Sequence, residues 1–193
     1  MKDTLRTFVA VETSDAVRQR TAELIRALDV AGADVKWVQG QNLHLTLKFL
    51  DEVPRGEIPR VGEVVQRVAA DVEPFELELR GAGAFPSAGR PRTVWLGAVD
   101  GAEAIRALQK NLEKALAKLG FRKEARRFEP HLTIGRVRGG GPSVADLGRR
   151  VKEYVEFPAG RFQVSELVVF SSQLTPTGPI YEALSRSRLG VGS

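Results

Sequence analysis

The sequence predicts a bilobal protein of mixed strands and helices: two duplicated lobes related by a pseudo-twofold axis, with a cleft between them. Three observations predict it. Strand-like and helix-like segments alternate along the chain, and the same order of segments recurs in its second half. The two histidines of the chain also sit in matching frames, His44-Leu45-Thr46-Leu47 and His131-Leu132-Thr133-Ile134, 87 residues apart.

The first half opens with a strand over Thr4 to Val11, rich in Phe8, Val9 and Val11. Ser14-Asp15 offers a helix N-cap, and Val17, Thr21, Leu24, Ile25 and Leu28 fall on one helical face. A short strand over Val35 to Val38 precedes a strong one over Leu43 to Leu50. The turn-like Pro54-Arg55-Gly56 leads into a helix marked by Ile58, Val61, Val64, Val65 and Val68. Phe75, Leu77 and Leu79 then alternate with Glu76, Glu78 and Arg80, the period of a half-buried strand.

The second half repeats this order. A strand over Arg92 to Val99 leads to a helix capped by Asp100, with Ile105, Leu108, Leu112, Ala115, Leu116 and Leu119 inward and Gly120 as its C-terminal cap. The strand of His131 follows, then a looser helix over Val144 to Val155 and one strand from Phe162 to Phe170. Pro179 to Leu184 reads as an edge strand, Gly139-Gly140-Gly141-Pro142 as a loop, and Leu189 to Ser193 as a frayed tail. Arg6-Thr7-Phe8-Val9 lies 38 residues before His44 and Arg92-Thr93-Val94-Trp95 lies 39 before His131, while Phe75 and Phe162 each follow their histidine by 31. The whole chain, 1–193, is therefore expected to be one domain of two interleaved lobes, each giving one His-x-Thr strand (44–47 and 131–134).

Composition narrows the chemistry. Apolar residues make up 42% and charged residues 27%, as in ordinary globular proteins, and no apolar run approaches a membrane span. The start, Met1-Lys2-Asp3-Thr4-Leu5-Arg6, carries no signal-peptide pattern, so a cytoplasmic location without a membrane partner is expected. With no cysteine there is no disulfide, thiolate nucleophile or thiolate metal site. A net charge of +5 fits a polyanionic partner and equally a solvated basic surface.

On a strand, alternate side chains share a face, so His44 and Thr46 point one way while Leu45 and Leu47 enter the core. His131 and Thr133 repeat the arrangement. Two imidazoles across a cleft suit phosphoryl transfer without a metal. A neutral ring deprotonates water, a protonated one supplies the leaving oxygen, and hydroxyls bind the phosphate oxygens. Other schemes find less support. Two histidines fall short of the three or four ligands of a zinc site, and neither Gly-x-Ser-x-Gly nor a Walker-type loop is present. Strict alternation points Arg136 away from the cleft, unless a bulge at Gly135 re-aims it. Lys48 falls on the histidine face or reaches solvent. Arg122, Lys123, Arg126 and Arg127 either steer a phosphate backbone or form a solvated rim.

These motifs resemble those of the 2H phosphoesterase superfamily. Arg6-Thr7-Phe8-Val9-Ala10-Val11, Asn42 to Leu50, Phe85-Pro86-Ser87 and Pro130 to Arg136 are similar to the bacterial and archaeal RNA 2′,3′-cyclic phosphodiesterase family, also known as 2′-5′ RNA ligase. The resemblance implies an α+β fold, each lobe an antiparallel sheet backed by helices. It implies hydrolysis of a terminal RNA 2′,3′-cyclic phosphate to a 2′-phosphomonoester. By it His44 is the proton donor, His131 the proton acceptor, and Thr46, Thr133 and Arg136 bind phosphate, with no metal and no cofactor. The implied partners are RNA 3′ ends, tRNA halves among them, with a weak reverse ligation. The intrachain symmetry leaves no need for a dimer, so a monomer is expected. Two other functions stand beside this one: a small-molecule cyclic phosphodiesterase acting on ADP-ribose cyclic phosphate or cyclic nucleotides, and a non-catalytic module that binds RNA ends.

Overall fold

A computed structural model describes residues 3–29 and 32–191 of the chain. Met1, Lys2, Gly192 and Ser193, included above in the chain start and the tail, lie outside the described residues. Nine strands and four helices occur in the order β1 (Thr4–Glu12), α1 (Asp15–Asp29), β2 (Val35–Trp37), β3 (His44–Pro54), α2 (Ile58–Ala70), β4 (Phe75–Phe85), β5 (Thr93–Ala98), α3 (Ala102–Ala117), β6 (His131–Val137), α4 (Pro142–Glu153), β7 (Pro158–Val164), β8 (Glu166–Thr175) and β9 (Gly178–Arg188).

The strands form two antiparallel sheets, β3-β1-β8-β9 and β2-β6-β5-β4-β7. This is the expected α+β architecture. Each sheet draws strands from both halves of the chain: β8 joins β1, and β4 joins β5. Strands β3 and β6, which carry the histidines, pack against each other where the two sheets meet. Helix α2 covers β8 and β9, α1 covers β7, α4 covers β4, and α3 bridges β3 and β4. Their apolar stripes, including Val17, Leu24, Val61, Val65, Leu108, Leu112 and Leu147, bury one core between helices and sheets. The opposite faces of the sheets are left to line the cleft. No described helix is long and apolar enough to cross a membrane.

Ser14 caps α1 as expected, its hydroxyl accepting the amide of Val17 at 3.3 Å. The end of α3 also follows the sequence reading. Gly120 sits at φ +93° and Phe121 N–H returns to the Leu116 carbonyl at 3.3 Å, a Schellman closure. Four other expectations are corrected. Asp100 does not cap α3: Gly101 holds the N-cap at φ +80°, and the Asp100 carboxylate instead binds Arg161 at 2.7 Å. A Cβ at Gly101 would run into the Glu76 carbonyl, so this tight turn leaves room only for glycine.

The segment from Phe162 to Phe170 is not one strand. It breaks at Ser165 into β7 and β8, which belong to different sheets. Both pieces are apolar and strand-forming, so periodicity alone does not mark the crossing. Phe75 and Phe162, matched in spacing, are not equivalent in place. They lie on the paired strands β4 and β7, with Leu77 opposite Phe162. Finally, Leu189 is no part of a frayed tail. Its side chain is buried, and its amide bonds to the Ser165 carbonyl at 2.8 Å.

Candidate active site

The cleft face of each sheet follows from strand pairing, because residues directly opposite each other share a face. On β1, the alternate residues Phe8, Ala10 and Glu12 lie opposite Phe49, Thr46 and His44 of β3. On β5, Thr93, Trp95 and Gly97 lie opposite Arg136, Thr133 and His131 of β6. Both histidines and both threonines therefore face the cleft, each half-buried, while Leu45, Leu47, Leu132 and Ile134 are buried in the core.

This register corrects the alignment of the repeats. The counterpart of Phe8 is Thr93, since both lie opposite the residue five places after a histidine. Matching Arg6-Thr7 to Arg92-Thr93 slips that alignment by one residue, which reverses every face.

The same register fixes the later motif residues. Leu47 has no partner between Thr46 and Lys48, and Ile134 has none between Thr133 and Gly135. Each is a bulge three residues after its histidine. The bulge on β6 turns Arg136 onto the cleft face, where it stands exposed beside Thr133. That bulge falls one residue earlier than Gly135. Glycine is needed at 135 for another reason: a Cβ there would come within 2.6 Å of the Trp37 ring. On β3 the bulge turns Lys48 the other way, opposite core-facing Val9. Lys48 is only 3% exposed, pairing with Glu113 of α3 at 2.7 Å and donating to the Arg122 carbonyl at 2.5 Å. It reaches neither cleft nor solvent.

Each imidazole is pinned in the same way. His44 Nδ1 lies 2.7 Å from the Asn42 carbonyl, and His131 Nδ1 lies 2.7 Å from the Glu129 carbonyl. A carbonyl only accepts, so Nδ1 carries the hydrogen in both rings and donates it. The second ring nitrogen, Nε2, is left to take or give a proton. Aromatic rings brace each one: Phe8 stacks on His44 at 4.8 Å and Tyr181 meets it edge-on at 5.1 Å. Phe85 meets His131 edge-on at 5.0 Å, and Trp95 lies at 6.3 Å.

Burial, the largest effect on each ring, lowers both pKa values below the ordinary 6.5. Secondary effects distinguish them. Glu12, opposite His44, supports its protonation more strongly than Arg136 opposes it. At His131 the Arg136 charge outweighs that of Glu129, and the residue opposite is uncharged Gly97. Arg136 thus acts on rings of both sheets, and together with Arg6 on Tyr181 as well, so these side chains share one space.

Composition alone did not mark Glu12, Phe8, Phe49, Phe85, Trp95 or Tyr181 as site residues. For Phe8 and Glu12 a signal existed, since both fall on alternate positions of the first strand. Tyr181 had none, because it reaches the cleft only through the pairing of β9 with β8. Among the described residues, no three His, Cys, Asp or Glu side chains gather closely enough to hold a metal ion.

A family model described as the 2′-5′ RNA ligase superfamily matches residues 17–175, which include both motifs. The chain belongs to the 2′-5′ RNA ligase superfamily. It is 40% identical over 186 residues to a protein of Methanothermobacter thermautotrophicus named RNA 2′,3′-cyclic phosphodiesterase, covering 96% of this chain and 99% of that one. A protein of the same name from Archaeoglobus fulgidus is 40% identical over 93% of this chain and 98% of its own. Among solved structures, TT0787 of Thermus thermophilus superposes with a TM-score of 0.81 at 29% identity, covering 96% of this chain and 98% of that one. E. coli LigT in its apo form gives 0.77 at 25%, with 97% and 98% covered. Membership in this superfamily fits the two braced histidines, their threonines and the antiparallel sheets that present them.

Proposed function

We propose that the chain hydrolyses the 2′,3′-cyclic phosphate at RNA 3′ ends to a 2′-phosphomonoester, with His44 as general acid and His131 as general base and without a metal ion. The observation that carries this reading is the matched pinning of the two rings. Each Nδ1–H is committed to a backbone carbonyl, so each Nε2 is free for proton transfer. Relatives named for this activity support the substrate.

In this scheme His131 Nε2 takes a proton from water as its oxygen attacks phosphorus. The phosphorus–O3′ bond breaks in line, and His44 Nε2–H delivers its proton to O3′. The phosphate stays on O2′. Thr46 and Thr133 hydroxyls donate to the non-bridging oxygens, and the Arg136 guanidinium balances their charge as it grows. Glu12 opposite His44, and Gly97 opposite His131, support giving the proton to His44 at the start. A 5′-hydroxyl of a second RNA, tRNA halves included, attacking in place of water would form a 2′-5′ linkage. The site is complete within one chain, so a monomer suffices.

The test is turnover of an oligoribonucleotide ending in 2′,3′-cyclic phosphate, in excess chelator, with 2′- and 3′-phosphate products separated. The 2′-phosphate should accumulate, and His44→Ala and His131→Ala should each lose about 10²–10⁴-fold in rate. A 3′-phosphate product, activity restored only by a divalent ion, or a near-normal His131→Ala would overturn the reading. Tight binding without product would favour the RNA-end module. Faster turnover of ADP-ribose cyclic phosphate or of cyclic nucleotides than of the oligonucleotide would favour the small-molecule enzyme.

A further inference from the structure

In-line displacement places attacking water and departing oxygen on opposite sides of phosphorus. The ribose carries the departing O3′. If His44 protonates that oxygen, the terminal nucleoside lies on His44's flank of the cleft and the water on the side of His131.

A cavity of about 250 Å³ opens on that flank, lined by Glu12, Gln41, Asn42, His44, Phe170 and Tyr181. A second hollow of about 230 Å³ adjoins it, sharing Gln41, Asn42 and Tyr181 and walled by Ile180 and Thr177. Each is a little smaller than the roughly 300–1,000 Å³ of pockets that enclose a drug-sized molecule, a scale suited to one base and its sugar.

The lining chemistry selects a neutral, planar, hydrogen-bonding ligand. Arg186 borders the first cavity, but it is held by Glu12 at 2.6 Å and Glu166 at 2.5 Å, and the Glu12 carboxylate would repel a second phosphate. What remains is one aromatic ring and two side-chain amides. Tyr181 is held edge-on to both His44 and Phe8, at 5.1 Å each, so its orientation is set before a ligand arrives. Asn42 Nδ2 donates to the Pro179 carbonyl at 3.1 Å, tying the start of β9 to the residue whose own carbonyl pins His44. Gln41 stands on the wall common to both hollows, its amide bonded only to Gln39 among the described residues.

We infer that Tyr181 and Gln41 form the seat of the terminal nucleobase, Tyr181 packing on the base and Gln41 bonding its edge. The inference rests on the acid role of His44 and goes beyond it in assigning the base a place. Phosphate affinity then resides with the His-Thr pairs and Arg136, and nucleoside affinity resides here.

Calorimetric titration separates the two. Adenosine 2′-phosphate should bind the wild-type protein at least ~10-fold more tightly than inorganic phosphate, as expected for one stacked base. In Tyr181→Ala the ratio of the two dissociation constants should fall toward one. Tyr181→Phe should keep it, and Gln41→Ala, at an exposed position, should reduce it by a smaller factor. Because a ratio is read, any disturbance passed through His44 to phosphate binding cancels. An unchanged ratio in both Tyr181→Ala and Gln41→Ala, or equal affinities in the wild type, would overturn the assignment. A wild-type ratio that collapses in Tyr181→Ala, in a protein that turns over no cyclic phosphate, would sink the hydrolase reading and leave the nucleobase seat standing.

Discussion

Phe49 and Arg136 occupy the same place on two different strands. Each follows its histidine by five residues, and each is carried onto the cleft face by a bulge two residues before it. Without those bulges both would point into the core. The duplicated scaffold thus offers two equivalent positions beside the phosphate, one filled by a ring that is 49% exposed and the other by a guanidinium. The difference makes the cleft electrostatically lopsided, with the free cation on the strand of His131.

That lopsidedness predicts a pH effect. Burial first, and Arg136 in addition, hold both histidines below their ordinary 6.5. The rate needs a neutral base and a protonated acid. Its low-pH limb therefore reports protonation of the base and its high-pH limb loss of the proton from the acid, as macroscopic values of a coupled pair. Removing the positive charge in Arg136→Gln should raise both pKa values and move the optimum of kcat/KM to higher pH. The low-pH limb should move further, because Arg136 outweighs the neighbouring carboxylate at His131 but not at His44. The maximum rate should fall as well, with one phosphate contact gone. A profile that loses height without moving would show that Arg136 does not set the charge state of the rings.

Much of this was legible in the chain. The helices, the two antiparallel sheets and the outward faces of His44, Thr46, His131 and Thr133 follow from periodicity and alternation, because those signals are local. What alternation misplaced depends on partners distant in sequence. A bulge is a property of two strands, so neither Leu47 nor Ile134 announces one. The inward turn of Lys48 becomes intelligible only with Glu113, on a helix 65 residues further on. The break at Ser165 is equally silent, since both flanks read as strand and only the two sheets distinguish them.

Lys48 carries the second consequence. Its ammonium and the Glu113 carboxylate form a buried pair. Lys48 donates to the Arg122 carbonyl, and Glu113 accepts the Glu124 amide at 3.2 Å. Two points of the segment that leads into β6 are thereby tethered to β3 and α3. Lys48→Met should lower stability by about 3 kcal/mol, at the low end for breaking a buried pair because Glu113 keeps some contact with solvent. Lys48→Met with Glu113→Met should recover part of that loss, since no unpaired charge then remains buried. Urea denaturation of the two single variants and the double variant measures the coupling. Strict additivity would show that the pair is not what holds the segment.

Trp95 provides the last test, because the space for its ring is made by a residue with no side chain. Gly83 of β4 lies opposite Trp95 of β5, and a Cβ on Gly83 would fall inside the indole. Gly97 is also close, its built Cβ reaching the ring at 3.3 Å. Phe85 packs on the same indole at 5.1 Å and meets His131 edge-on at 5.0 Å. Gly83→Ala must therefore displace a ring that cannot retreat without pressing on Phe85 or on the face carrying His131 and Thr133. Overpacking of this kind costs about 1–3 kcal/mol, which should appear in urea unfolding. The activity loss should exceed what stability explains: kcat should drop while the protein remains folded, because proton transfer depends on where His131 Nε2 points. The double variant Gly83→Ala with Trp95→Leu removes the clash and should regain most of the stability. A Gly83→Ala enzyme with unchanged kcat would show that the indole shifts freely and that His131 is held by its Glu129 carbonyl alone.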